Sequence, residues 1–157
     1  MEGAVLFGLN PNKIIQRKAR YTIGTGSNDF WNEELHSKNG KKYYCKIDNT
    51  WRCKDCFSIF IRINESIQIG QEIIKKYIFM EPRYFTIYFY KTLKSNPIFI
   101  NEEGIEEIGK LSFDAGKDFP PRERKFTITM RIGGTFIDVK VKHLKSGTTI
   151  KTKLDFN

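Results

Sequence analysis

The chain has little of what an enzyme or a membrane protein needs. It contains two histidines, His36 and His143, and neither stands in a nucleophile context such as Gly-x-Ser-x-Gly. Without convergent acid, base and nucleophile, catalysis is not expected, and no catalytic residue is assigned. No Gly-Lys-Ser or Gly-Lys-Thr element occurs, and at Gly24-Thr25-Gly26 the third glycine of a dinucleotide fingerprint is replaced by Asp29. These glycines read instead as backbone devices that let a strand bend or another chain come close. The longest solid apolar run, Tyr84 to Tyr90, is far too short to span a bilayer, and the N-terminus carries no signal-peptide pattern. No membrane partner is therefore expected. Three cysteines are too few for a disulfide framework in a chain of this length, which points to a reducing, cytoplasmic setting. Amphipathic helices are almost absent, and heptads, internal repeats and low-complexity tracts are missing.

What is present favours strands. A length of 157 residues with 39% hydrophobic content suits one domain with one ordinary core. The 13 Phe and 7 Tyr, together with Ile and Thr, fit the pleated, half-buried surface of sheets. The net charge of +9 would suit an acidic partner or nucleic acid, but the cations are scattered and mostly alternate with other residues, as on solvated strand faces. A basic nucleic-acid-binding β-domain is thus only an alternative reading.

The clearest periodicity is C-terminal. Phe126, Ile128, Met130 and Ile132 alternate with Thr127, Thr129 and Arg131, and Gly133-Gly134 then turns the chain. Ile137, Val139 and Val141 alternate with Asp138, Lys140 and Lys142, Lys145-Ser146-Gly147 turns again, and Ile150, Leu154 and Phe156 complete a three-stranded meander. One apolar face demands a second layer, so the fold expected is mainly β, an antiparallel sandwich. Earlier strands are read at Tyr21 to Ser27, Phe57 to Ile63 and, after the Asn64-Glu65-Ser66 turn, from Ile67 to Ile74. Tyr84 to Tyr90, aromatic on both faces, reads as a central strand covered on both sides. Asn39-Gly40 signals a hairpin-like turn between Glu33 to Lys38 and Lys41 to Ile47. Residues 1–10 read as the last turns of a short helix, 11–20 as a basic linker, and 21–157 as the sandwich.

Two constellations invite function. Cys45, Cys53, Cys56 and His36 could supply thiolates and an imidazole to zinc, but only Cys53 and Cys56 have knuckle spacing and His36 lies in a polar stretch upstream. Ordinary part-buried thiols are the preferred reading, and no metal ligand is assigned. Tyr84 to Tyr90 could stack bases if its rings faced solvent beside cations, but core packing explains it more simply. His143 is expected to pack at a strand end.

In order along the chain, several segments resemble the 70-kDa heat-shock chaperone family, in particular its divergent 12A/12B branch. Gly3-Ala4-Val5-Leu6-Phe7-Gly8 is similar to the last helix of that family's ATPase domain, and Tyr21-Thr22-Ile23-Gly24-Thr25-Gly26 to the first strand of its β-type substrate domain. Asn39-Gly40-Lys41-Lys42-Tyr43 and Cys56-Phe57 resemble the insertion of that branch, and Asn64-Glu65-Ser66-Ile67 the next turn. Tyr84 to Tyr88 stands at the family's central strand, Ile108 to Asp114 at the strand before its Pro-rich loop, and Phe126 to Phe156 at its final meander.

The resemblance implies a module that holds extended peptide segments in a cleft involving Thr25, Ser27, Ile78, Phe85, Ile87 and Phe126. Asn28, Lys75 and Lys76 replace residues of the family's arch, so the rim of this cleft would be polar and cationic. ATP would be bound only by an upstream ATPase domain, the expected intramolecular partner, and no cofactor is expected within this chain. The resemblance further implies a start inside a longer protein and an end without the helical lid, as in the 12A/12B branch. A regulatory or structural piece of an ATP-dependent actin-like protein, without peptide binding, is the other reading.

Overall fold

A computed structural model describes residues 16–155. The expected N-terminal helix, the first part of the linker and Phe156 lie outside the described residues.

Eleven strands are arranged in three antiparallel sheets among the described residues. The alternation of the C-terminal segment produces β9 (Lys125–Ile132), β10 (Phe136–His143) and β11 (Thr149–Asp155), and β6 (Glu72–Ile78) extends this sheet in the order β11-β10-β9-β6. The second large sheet has the order β3-β4-β2-β7-β8, built from β2 (Thr22–Phe30), β3 (Lys41–Cys45), β4 (Thr50–Ile61), β7 (Tyr84–Thr92) and β8 (Ile105–Asp114). A small pair joins β1 (Gln16–Lys18), within the stretch read as a linker, to β5 (Ser66–Gln68).

The two large sheets share one core, as a sandwich requires. Ile23, Ile61, Ile87, Phe89, Leu111 and Phe113 from one sheet cluster with Ile128, Met130, Ile132, Ile137, Val139, Val141 and Leu154 from the other. Aromatic rings close the contact at one end: Phe85 lies 4.8 Å from Phe79, 4.9 Å from Phe113 and 4.6 Å from Phe126, centroid to centroid. Beside them His143 is fully buried at the end of β10, with Nε2 donating to the Glu123 carbonyl at 2.6 Å and Nδ1 2.7 Å from Ser146 Oγ. That is the strand-end packing expected from the sequence.

Two expectations are corrected. Asn39-Gly40 does not turn a hairpin: residues 33–36 form a one-turn helix, α1 (Glu33–His36), and the hairpin is β3 with β4, turning at residues 46–49 with Asn49 at φ 56°. Asn32 caps α1, its side chain accepting the amides of Glu34 and Leu35, and a local cap of this kind outweighs the strand reading of the short polar segment. β7 is not covered on both sides either. Phe85, Ile87 and Phe89 face the core, but Tyr84 is 58% and Tyr88 41% exposed, so among the described residues nothing covers those two rings.

Gly24 is required by close approach. A Cβ there would sit 2.0 Å from the Ser58 carbonyl oxygen and 2.8 Å from the Phe57 ring, where β2 and β4 pass a register shift. Gly24→Ala is expected to destabilise the fold by about 1–3 kcal/mol, the usual cost of overpacking. Gly134→Ala, which meets open space, is expected to be nearly neutral. Urea midpoints of the two variants check the contrast; equal midpoints would contradict the packing described.

Candidate functional site

The site arises from a parting of strands. β2 pairs with β7 only from Thr22 to Thr25, which face Thr92 to Phe89. Beyond that point β2 runs on to Phe30 paired with β4 alone, and the Tyr84 to Tyr88 part of β7 is paired with β8 alone. The Thr25 hydroxyl donates to the Tyr88 carbonyl at 2.7 Å at the fork. Across from it, β6 is the edge of its sheet, bonded only to β9. Three stretches of main chain without a second strand partner among the described residues thus border one space.

That space is a cleft of about 680 Å³. All six residues expected at a peptide site, Thr25, Ser27, Ile78, Phe85, Ile87 and Phe126, line it, and so do Asn28, Lys75 and Lys76. Buried Phe126, Ile87 and Ile128 give it an apolar base, while Ser27, Asn28 and Asp29 form a polar wall on β2. The Ser27 hydroxyl donates to Asp29 Oδ1 at 2.7 Å, which keeps that wall internally satisfied.

A hydrogen bond ties the two large sheets together beside the cleft: Tyr77 on β6 and Ser58 on β4 lie oxygen to oxygen at 2.7 Å. Burial raises the Tyr77 phenol well above the usual tyrosine range, although the Ser58 bond works the other way. On the β4 side, Arg52 binds the Asp48 carboxylate, donates to the Asn28 carbonyl at 2.6 Å and stacks over Phe30 at 4.4 Å. The Arg52 hydrogen bond holds the Asp48 carboxyl well below the usual carboxylate range. Arg52 is therefore occupied as a strut, its charge already matched.

The opposite wall is different. Lys75, Lys76 and Lys125 line the cleft and form no ion pair among the described residues. The Lys75 ammonium lies over the Phe60 ring at 5.5 Å.

No family model matches the sequence. Among curated proteins, the chain is 29% identical to heat shock 70 kDa protein 12A of Mus musculus over 99% of its own length and 23% of that protein. It is also 29% identical to heat shock 70 kDa protein 12A of Homo sapiens and 27% to heat shock 70 kDa protein 12B of Homo sapiens, each over 99% of this chain. The chain is a homologue of the heat shock 70 kDa protein 12 branch. It spans about a quarter of the length of the relatives it matches.

Of the four residues grouped as a possible zinc constellation in the sequence, the structure brings three together. His36 is buried against Cys53 and Cys56, whereas Cys45 is buried elsewhere, bonded to the Asp48 neighbourhood. Burial pushes the Cys56 thiol up to about 12, so it is no nucleophile at neutral pH. The spacing of Cys53 and Cys56 singled out the pair, but the bulge in β4 that sets both on one side is not visible in that spacing.

Tyr77 carries a pH dependence. Its phenol is held neutral by the fold, so the stability it lends is complete below the ordinary value of 10.0 and is lost as pH rises toward the higher folded value. Tyr77→Phe is expected to cost about 1 kcal/mol at neutral pH through the lost hydrogen bond. It should also flatten the fall in stability above pH 10, the ordinary value at which the unfolded chain ionises. Urea midpoints measured from neutral to alkaline pH check both parts.

Proposed function

We propose that this chain is the peptide-holding β-sandwich of a heat-shock-70-like protein, taking extended segments with an apolar centre into the cleft bounded by β2, β6 and β7. The observation that carries this reading is the convergence of six residues, expected from the resemblance alone, on one cleft bordered by unpaired strand edges. An extended chain needs main-chain partners for affinity and side-chain pockets for selection. The free edges of β2 and β6 offer the first, and the apolar base of Ile87, Phe126 and Ile128 the second.

The uncompensated cations Lys75, Lys76 and Lys125 make the cleft selective. Basic peptides meet like charge on one wall, while acidic residues flanking an apolar centre gain from it. The chain itself performs no chemical step in this reading. ATP handling falls to a separate nucleotide-binding domain, which is the proposed intramolecular partner. A cytoplasmic setting belongs to the same proposal and accords with three free, buried cysteines.

Fluorescence anisotropy with short labelled peptides tests the reading. A Leu-rich peptide flanked by Asp should bind saturably in the micromolar range, and its Lys-flanked counterpart more weakly. Reversing both rim charges, Lys75→Glu with Lys76→Glu, should weaken the acidic peptide by about tenfold, or ~1.4 kcal/mol. Ile78→Glu should weaken both peptides, with a melting curve to confirm the fold. Absence of saturable binding to either peptide by the folded wild-type chain would remove the peptide-holding role.

A further inference from the structure

Between β2 and β3 the chain makes an excursion whose hold on the body of the protein is narrow. Its helix α1 has four residues, too few to be stable alone, and His36 is its one buried side chain. Leu35, the apolar neighbour that might have anchored the helix, is exposed. His36 instead enters a pocket between the rings of Trp31 and Phe99, at 5.4 and 5.8 Å, and reaches two sulfurs.

Those sulfurs are brought together by an irregularity in β4. In a regular strand, residues three apart point to opposite faces. Here Ser27 faces Cys56 and Asp29 faces Cys53, so Lys54 and Asp55 stand opposite the single residue Asn28. The extra residue is taken up with Asp55 at φ 59°, a conformation uncommon for a non-glycine side chain. The bulge reverses the parity, and the two cysteines end on one side. The ligand atoms of His36, Cys53 and Cys56 all lie within 4.8 Å of one another, with His36 Nε2 3.8 Å from Cys56 Sγ. All three residues are buried, at 4%, 0% and 1% exposure. Gly40 allows this closeness: a Cβ there would meet the His36 carbonyl at 2.4 Å and Cys53 Sγ at 3.0 Å.

We propose that His36, Cys53 and Cys56 form a zinc site that fastens the α1 excursion to β4. Two thiolates and an imidazole are a donor set for borderline and soft ions and reject Mg²⁺ and Ca²⁺. Charge selects a divalent ion. On binding, both thiols release their protons to solvent, and the two thiolates cancel the 2+ charge, so the buried site stays neutral. The fourth position of the tetrahedron is left to water. Binding also changes the histidine. The Asn32 backbone N–H now donates to His36 Nδ1 at 3.0 Å; with zinc on Nε2, Nδ1 carries the ring proton and Asn32 loses that acceptor.

The reduced full chain is titrated with Co²⁺ and then Zn²⁺. One ion per chain, a thiolate-to-cobalt absorption band that zinc removes, and a thermal midpoint that rises with zinc and falls with chelator are expected. The Asn32 amide resonance should shift on loading. Cys53→Ser and His36→Gln should abolish the cobalt band, whereas Cys45→Ser should keep it. The proposal is overturned if reduced wild-type chain takes up no stoichiometric cobalt or zinc, or if Cys45→Ser loses the band while Cys53→Ser retains it. If Cys53→Ser does not fold, native mass spectrometry of the wild-type chain with zinc decides by stoichiometry.

Discussion

The stack of rings around Phe85 is the contact on which the site depends. Phe85 from one sheet meets Phe126 from the other at 4.6 Å, and Phe79 and Phe113 flank it. Each offset pair adds about 0.5–1.5 kcal/mol to the area it buries. The stack fixes the distance between the sheets at the place where β2 and β7 separate. Without it, the parting of those strands would let the sandwich close on itself, and the open edges would pair or collapse. Phe85 is therefore both a cleft residue and a structural one, and its removal cannot distinguish the two roles, whereas Ile78 on the edge of β6 can.

The walls of the cleft use charge in opposite ways. On the β4 side, Arg52 is spent on Asp48, the Asn28 carbonyl and the Phe30 ring, so it braces the far end of β2 where β7 no longer supports it. On the β6 and β9 side the lysines form no ion pair among the described residues, and Lys75 makes only a ring contact with Phe60. Lys75, which is half-buried beside the apolar base, is screened less than a surface charge, whereas Lys76 and Lys125 are exposed at the rim. This asymmetry is a property of particular residues: Lys75 and Lys76 stand on one wall, Asn28 on the other.

The meander from β9 to β11 was legible because one face is buried and the other solvated, so every second residue reports its side. The order of elements was legible for the same reason. The β3–β4 hairpin was not, since its turn at residues 46–49 carries no Asn-Gly or Asp-Gly pair, while the Asn39-Gly40 pair that looked like a turn follows a capped helix. There glycine is demanded by proximity to His36 and Cys53, not by turn geometry. The outer face of β7 misled in another way. Tyr carries a polar tip, so Tyr84 and Tyr88 can remain in water where Phe would be covered, and an all-aromatic run is not by itself a doubly buried strand.

The bulge in β4 shows why the cleft and the His36 group were visible to different degrees. The cleft residues keep the parity of their strands, so a resemblance in order was enough to bring them together. Cys53 and Cys56 do not keep it: counted along an ideal strand they part, and only the extra residue at Lys54-Asp55 reunites them. The same displacement carries Asp55 to the cleft and sets Asn28 opposite the bulge, where its carbonyl receives Arg52. One inserted residue thus shapes both neighbourhoods, joining the end of β2 that borders the cleft to the segment that His36 holds in place.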